Sequence, residues 1–297
     1  MSLYSQRSKN IMRTWVLMLT FFFVVIGAGW SVSWYFGDPT ILWFAVMFAI
    51  LMNVGSYWFS DKIALKTTGA RPASREEFFD LYTVTENLSI ASGMKMPRIY
   101  VINDPAPNAF ATGRNEKHAV IAVTTGLLSM MDRSELEGVV AHELAHIKNQ
   151  DILLMSAVVV LLGMITLLAD FALRMSLFGG GRGGDNKGNA FIAIAGIVFI
   201  ILAPIIAQMI QLAISRRREF LADASGALLT RYPEGLASAL EKLGAYSAPM
   251  KKANHATAHL FISNPFGRAQ AGKFMNKLFM THPPTEARIA ALRGIKV

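Results

Sequence analysis

The chain has 297 residues, of which 53% are hydrophobic and only 16% charged, with a mean hydropathy of +0.38. Soluble domains carry about 25% charge, so an ordinary soluble globule is excluded. There is no cysteine, which rules out disulfides and thiolate ligands and leaves His and carboxylate for any zinc site.

The 29 Lys and Arg outnumber the 20 Asp and Glu, for a net charge of +9. The excess gathers beside apolar runs: Arg7, Lys9 and Arg13, then Lys62, Lys66 and Arg71, then Arg216, Arg217 and Arg218. That distribution is a positive-inside signal, with attraction to anionic lipid added. No nucleic-acid motif accompanies it, so nucleic acid is not an expected partner; the lipid bilayer is.

In chain order, the first apolar run covers 15–36, too long for a signal-peptide core of about 7–15 residues. The turn Gly37-Asp38-Pro39 leads into a second run, 41–59, and the two read as a transmembrane hairpin. The polar stretch 60–151 reads as a small α+β unit. Ser74-Arg75-Glu76-Glu77 is a capping box opening a helix to about Ala91 near Gly93. Strands are expected at 98–102, 109–112 and 119–123, and Ser134-Glu135-Leu136-Glu137 is a second capping box. Residues 152–178 are apolar again, followed by a Gly-rich loop and a fourth run at 190–214 with Pro204 as a kink. From Ser215 the chain is polar and helical. The organisation expected is thus a membrane hairpin at 1–60, the first part of a polar domain at 61–151, a second hairpin at 152–214 and the rest of the domain at 215–297.

The chemistry concentrates in His142-Glu143-Leu144-Ala145-His146. Positions four apart stack on one helix face, so both imidazoles can meet one metal ion, and Glu143 is placed to take a proton from the attacking water. His255-Ala256-Thr257-Ala258-His259 has the same spacing without the acid: it could hold a metal structurally but lacks the base for hydrolysis, and it reads first as two histidines on a polar or interfacial helix. A catalytic zinc needs a third protein ligand, and Glu is the natural choice without cysteine. Glu219 and Asp223 lie one helical turn apart. They read either as that ligand with an orienting neighbour or as a solvated charged face beside Arg216, Arg217 and Arg218; spacing alone leaves both open. His146 and Glu219 can share a metal only if the apolar segment between them enters and leaves on one side.

These residues, with Ser215-Arg216-Arg217-Arg218-Glu219-Phe220-Leu221-Ala222-Asp223, Asn108-Ala109-Phe110-Ala111-Thr112-Gly113, Ala258-His259-Leu260-Phe261, Ser263-Asn264-Pro265 and the stretch from Thr281-His282-Pro283-Pro284 to Arg288-Ile289, resemble the HtpX family of membrane zinc proteases. That family is related to the CaaX-processing proteases and, through them, to the gluzincins. The resemblance implies an α-rich membrane protein: four transmembrane helices plus a cytoplasmic α+β, zincin-like metalloprotease domain. It implies one zinc ion per chain on His142, His146 and Glu219, with Asp223 beside them. It further implies that His282 and Arg288 stabilise the oxyanion, and that the Asn108-Ala109 stretch is an edge strand to which substrate adds. Localisation would be the bacterial inner membrane, multi-pass, with the active site facing the cytoplasm. The role would be quality control under stress, with damaged membrane proteins and unfolded segments as substrates.

Two other readings exist. A transporter would need ionisable residues inside the spans, where the four runs offer little beyond Asn53, Asp170, Arg174 and Gln208. A silent zinc-binding scaffold would have no use for Glu143, which metal binding does not require.

Overall fold

The computed structural model describes residues 3–163, 215–267 and 283–295, with side chains from residue 7 onward. Helices α1 (Leu3–Phe36) and α2 (Thr40–Thr68) form the expected hairpin. Their apolar spans, Arg7–Phe36 and Thr40–Thr68, have mean hydropathies of 2.1 and 1.7 and are long enough to cross a bilayer. Trp30, Trp34, Trp43 and Phe44 stand exposed on them, large apolar side chains of the kind that suit contact with lipid better than with water. At the turn, Asp38 accepts hydrogen bonds from the Thr40 backbone N–H and hydroxyl at 2.9 and 2.6 Å.

The second helix runs well past the end of its apolar stretch at residue 59, because its polar continuation packs into the domain that follows. Asp61 bonds Arg98 at 2.7 Å, and Ala64 and Leu65 are buried against Phe110 and Met155. Gly69 ends the helix in the left-handed region at φ 72, where a Cβ would be strained.

A four-stranded sheet follows, with β1 (Arg71–Pro72), β2 (Arg98–Ile102), β3 (Ala109–Thr112) and β4 (Val120–Thr124) in the order β1-β2-β4-β3. The strands β2 and β4 are parallel, while β1 and β3 pair antiparallel at the two edges. Every residue of β4 is buried, which explains its unbroken apolar sequence. Helix α3 (Phe79–Ser92) starts later than the first capping box suggests. The Ser74 hydroxyl does accept the Glu77 N–H at 3.2 Å, but it closes an isolated turn, with Glu77 drawn instead to Arg71.

After the short α4 (Thr125–Met130), α5 (Arg133–Lys148) forms the spine of the domain. Its cap is Asp132 with Glu135, not Ser134 with Glu137. Both quartets fit the capping pattern; tertiary contacts choose between them. Glu135 accepts Lys242 Nζ at 2.6 Å and the Ser238 hydroxyl at 2.6 Å, both from the helix that packs on α5. Helix α6 (Asp151–Gly163) leaves α5 through a bend of 83°. Its Leu154, Val158 and Leu161 are buried against Leu17 and Phe21 of α1. Helices α7 (Arg216–Thr230), α8 (Pro233–Ala245) and α9 (Thr285–Arg293) complete the described domain. Two helices long and apolar enough to cross a membrane are present among the described residues, or three if α5 and α6 count as one bent span. Most of the expected second hairpin (164–214, with Pro204 and the Gly-rich loop) lies outside the described residues, as does His282.

Burial pushes the Glu135 carboxyl up, but Lys242, Ser238 and the Asp132 N–H outweigh it and hold the group below its ordinary range. A depressed folded value contributes stability above the ordinary carboxylate pKa, lost as pH falls through the folded one. Glu135→Gln is therefore expected to cost about 1–2 kcal/mol at neutral pH. It should also flatten the acid limb of the melting profile; an unchanged profile from pH 3 to 7 would remove this group from the account.

Candidate metal centre

His142 and His146 project from one face of α5, as the four-residue spacing requires, and their Nε2 atoms stand 3.1 Å apart. Helix α7 brings Glu219 to the same point. Its Oε2 lies 3.8 Å from Nε2 of His142 and its Oε1 3.6 Å from Nε2 of His146. All three ligand atoms fall within 4.8 Å of one another. Ligands ~2.0–2.1 Å from a tetrahedral zinc stand roughly 3.3–3.4 Å apart, so the triangle has the size a zinc ion needs.

The approach of α7 to α5 depends on Gly226, where an added Cβ would sit 3.0 Å from the backbone nitrogen of His142. Gly138, on α5, plays the same part toward α8, where a Cβ would lie 2.6 Å from the Leu236 nitrogen.

Each imidazole turns its other nitrogen to a carboxylate. Asp223 Oδ1 lies 2.9 Å from Nδ1 of His142, close but off the line of a straight hydrogen bond. Asp151 Oδ2 lies 2.9 Å from Nδ1 of His146. Both contacts favour the tautomer that leaves Nε2 free to coordinate. Asp223 was expected in this role; Asp151 was not foreseen. It follows His146 at a spacing that no helical face delivers, and only the 83° bend between α5 and α6 returns it to the site.

Arg288 grips Asp223 with two hydrogen bonds, from Nε at 2.8 Å and Nη2 at 2.7 Å, and its Nη1 lies 3.8 Å from Glu219 Oε2. The family resemblance implies an oxyanion-stabilising role for Arg288; what the structure shows is its planar fork fixing the carboxylate beside His142. Burial pushes the Asp223 carboxyl up, but Arg288 and His142 outweigh it and bring it down to about 2.

The site is deeply buried, with His142, Glu143, His146 and Glu219 between 1% and 6% exposed. Around it, four buried carboxylates (Glu143, Asp151, Glu219, Asp223) face two buried guanidiniums, those of Arg218 and Arg288. With both imidazoles neutral, as metal ligation requires, and the carboxylates ionised, these described residues carry two more negative than positive charges in a low dielectric, which a dication would offset. Donor set, spacing and charge all fit a zinc ion.

Burial lowers His142 to about 4. For His146 burial acts in the same direction, but Asp151 and Glu219 reverse it and raise the group to about 9. Burial pushes the Glu143 carboxyl up to about 7, with Glu219 adding to the rise and His146, the Ala111 backbone N–H and Arg288 opposing it.

That Ala111 contact puts one edge of the sheet against Glu143. The outer edge of β3 faces Glu143, as expected of the strand that includes Ala109, but its first part is already paired. Ala109 O accepts the Ile262 N–H at 2.9 Å, while the Asn108 side chain bonds both the carbonyl and the N–H of Ser263 at 2.9 and 3.1 Å. The second histidine pair is not helical: His255 packs against the Phe266 ring, and His259 Nε2 contacts the Met155 carbonyl at 3.0 Å within a 3-10 turn at Ala258–Leu260.

The sequence model of Peptidase family M48 matches residues 75–296. "Protease HtpX homolog" of Thermoanaerobacter pseudethanolicus is 47% identical over 300 residues, covering 99% of this chain and 98% of the relative. The protein of the same description from Tropheryma whipplei (strain Twist) is 44% identical, with 98% of each chain covered. Among solved structures, the crystal structure of S. mikatae Ste24p is 20% identical with a TM-score of 0.49, over 96% of this chain and 67% of that one.

Proposed function

We propose a zinc-dependent endopeptidase reaction for this chain, which belongs to peptidase family M48 and, within it, to the HtpX proteases. The chain is a membrane metalloprotease. The observation that carries the zinc reading is the triangle of His142, His146 and Glu219, closed by two helices remote in sequence. Zinc held there supplies Lewis-acid polarisation of the scissile carbonyl and acidifies water.

The protein's own groups do the rest. Glu143, with a carboxyl poised near neutrality, takes a proton from the attacking water on its carboxylate oxygen and delivers it to the departing amine nitrogen. Asp223 holds His142, and Arg288 holds Asp223. By family resemblance, Arg288 and His282 would also stabilise negative charge developing at the carbonyl oxygen. An extended substrate aligns along the outer edge of β3. Binding at Asn108 and Ala109 requires the segment at Ile262 and Ser263 to withdraw.

The cytoplasmic orientation rests on charge. Arg7, Lys9 and Arg13 on α1 and Lys62 and Lys66 on α2 cluster at the end of the hairpin that carries the protease domain, while the opposite turn has Asp38 and no Lys or Arg. The positive-inside rule puts the domain in the cytoplasm, as a multi-pass protein of the bacterial inner membrane. A buried, charged site at the foot of a membrane hairpin suits unfolded segments and loops of damaged membrane proteins, and quality control is the role we propose, in line with the HtpX resemblance.

The test is proteolysis of casein by the purified full-length protein in detergent. Activity should vanish on chelation and return with one zinc per chain. Full activity after exhaustive chelation, with no metal detected, would refute the mechanism.

A further inference from the structure

Asp151 reaches the metal centre from α6, outside the two helices that supply the ligands. Its Oδ2 lies 2.9 Å from Nδ1 of His146, and its Oδ1 is held by Nδ2 of Asn10 at 2.6 Å and Nε of Arg218 at 3.3 Å. The same amide nitrogen of Asn10 donates to the Asn149 carbonyl at 3.0 Å. Both of its partners are oxygens, so the side-chain NH₂ must point toward the site. Asn10 and Asp151 are each 1% exposed. Asn10 belongs to α1, the first membrane helix, and its partner lies 141 residues away in sequence. A helix that only anchored the chain would have no need of a buried amide, which is costly unless bonded.

We propose that Asp151 is a positioning residue for the ligand His146 and that Asn10 of α1 locks Asp151 in place, so that the first membrane helix is part of the support of the metal centre. The inference rests on the zinc reading above. The chain of contacts has a defined task at each atom. The Asp151 carboxylate accepts the Nδ1 proton of His146 and leaves Nε2 a coordinating lone pair. Asn10 and Arg218 together hold Oδ1, which stops the carboxylate from rotating away. Asn10 also ties down the Asn149 carbonyl at the bend, so the angle between α5 and α6, which aims Asp151, is set from the membrane helix.

The test is metal binding by the full-length protein in detergent, for wild type, Asn10→Leu, Asp151→Asn and Glu219→Ala. Zinc affinity is measured by competition and the site geometry by the visible bands of the cobalt-substituted form. Asn10→Leu and Asp151→Asn are expected to weaken zinc by about tenfold or more and to shift the cobalt bands. A packing role alone would lower the melting temperature of the metal-free protein and leave affinity and bands as in wild type; that result overturns the proposal. Asp151→Asn, which preserves shape, decides the matter if Asn10→Leu does not fold. Zinc binding by Glu219→Ala as tight as wild type would instead show that the zinc reading itself has failed, and the proposal with it.

Discussion

Glu143→Gln is expected to reduce peptide hydrolysis by roughly a hundred- to ten-thousand-fold while the protein keeps one zinc per chain. The side chain lies between the ligand histidines on α5, 2% exposed, with a carboxyl raised to about 7 by burial. Gln preserves its volume and its reach toward the Ala111 N–H, but an amide cannot accept the proton that the attacking water must lose. In the metal-free protein the site holds an excess of buried carboxylates, so neutralising one carries no stability penalty there and the melting temperature of the metal-free variant should stay level or rise. Cleavage rate, metal content and melting curve together isolate the base from the fold. Hydrolysis at the wild-type rate in the zinc-loaded variant would remove Glu143 from the mechanism.

Glu219→Ala is expected to weaken zinc binding by about two orders of magnitude or more, the share of one ligand in a binding free energy of roughly 10–16 kcal/mol. Activity should fall with the metal. Two histidines alone leave zinc short of a protein ligand, and the substitution also takes a carboxylate from beside Arg288, 3.8 Å away. Glu219→Gln should fall between the two, since the amide oxygen is a weaker neutral donor. The alternative drawn from spacing, a solvated charged face, makes the opposite forecast: Glu219 would be exposed, and its loss would leave metal content unchanged. At 6% exposure and within 3.8 Å of both imidazoles, Glu219 does not fit that alternative. Metal analysis after dialysis against a weak chelator measures the difference directly.

The corrections to the sequence reading share a cause. Two capping quartets overlap at the start of α5, and local pattern cannot rank them; Lys242 and Ser238, on a helix about a hundred residues later, select Asp132 with Glu135. The helix expected across 255–259 does not form: His255 packs on the Phe266 ring and His259, in a 3-10 turn, contacts the Met155 carbonyl. The Asn108 stretch is an edge strand as expected, yet its free edge is partly filled by Ile262 and Ser263. At the start of α5 and along the β3 edge, contacts more than a hundred residues away in sequence decided what the local pattern could not.

What the chain determines by itself is whatever follows from period and composition. Apolar runs about as long as a bilayer is thick demand the α1–α2 hairpin, and a 3.6-residue helical turn puts His142 over His146 and Glu219 over Asp223 without reference to anything else. The tertiary structure decides which of these faces meet. Glycine at 226 lets two helices close until three donors converge, an 83° bend swings Asp151 under His146, and Asn10 arrives from the membrane to hold it. Coordination by side chains from separate helices is a property of distances in space, and helical periodicity sets those distances only within a single helix.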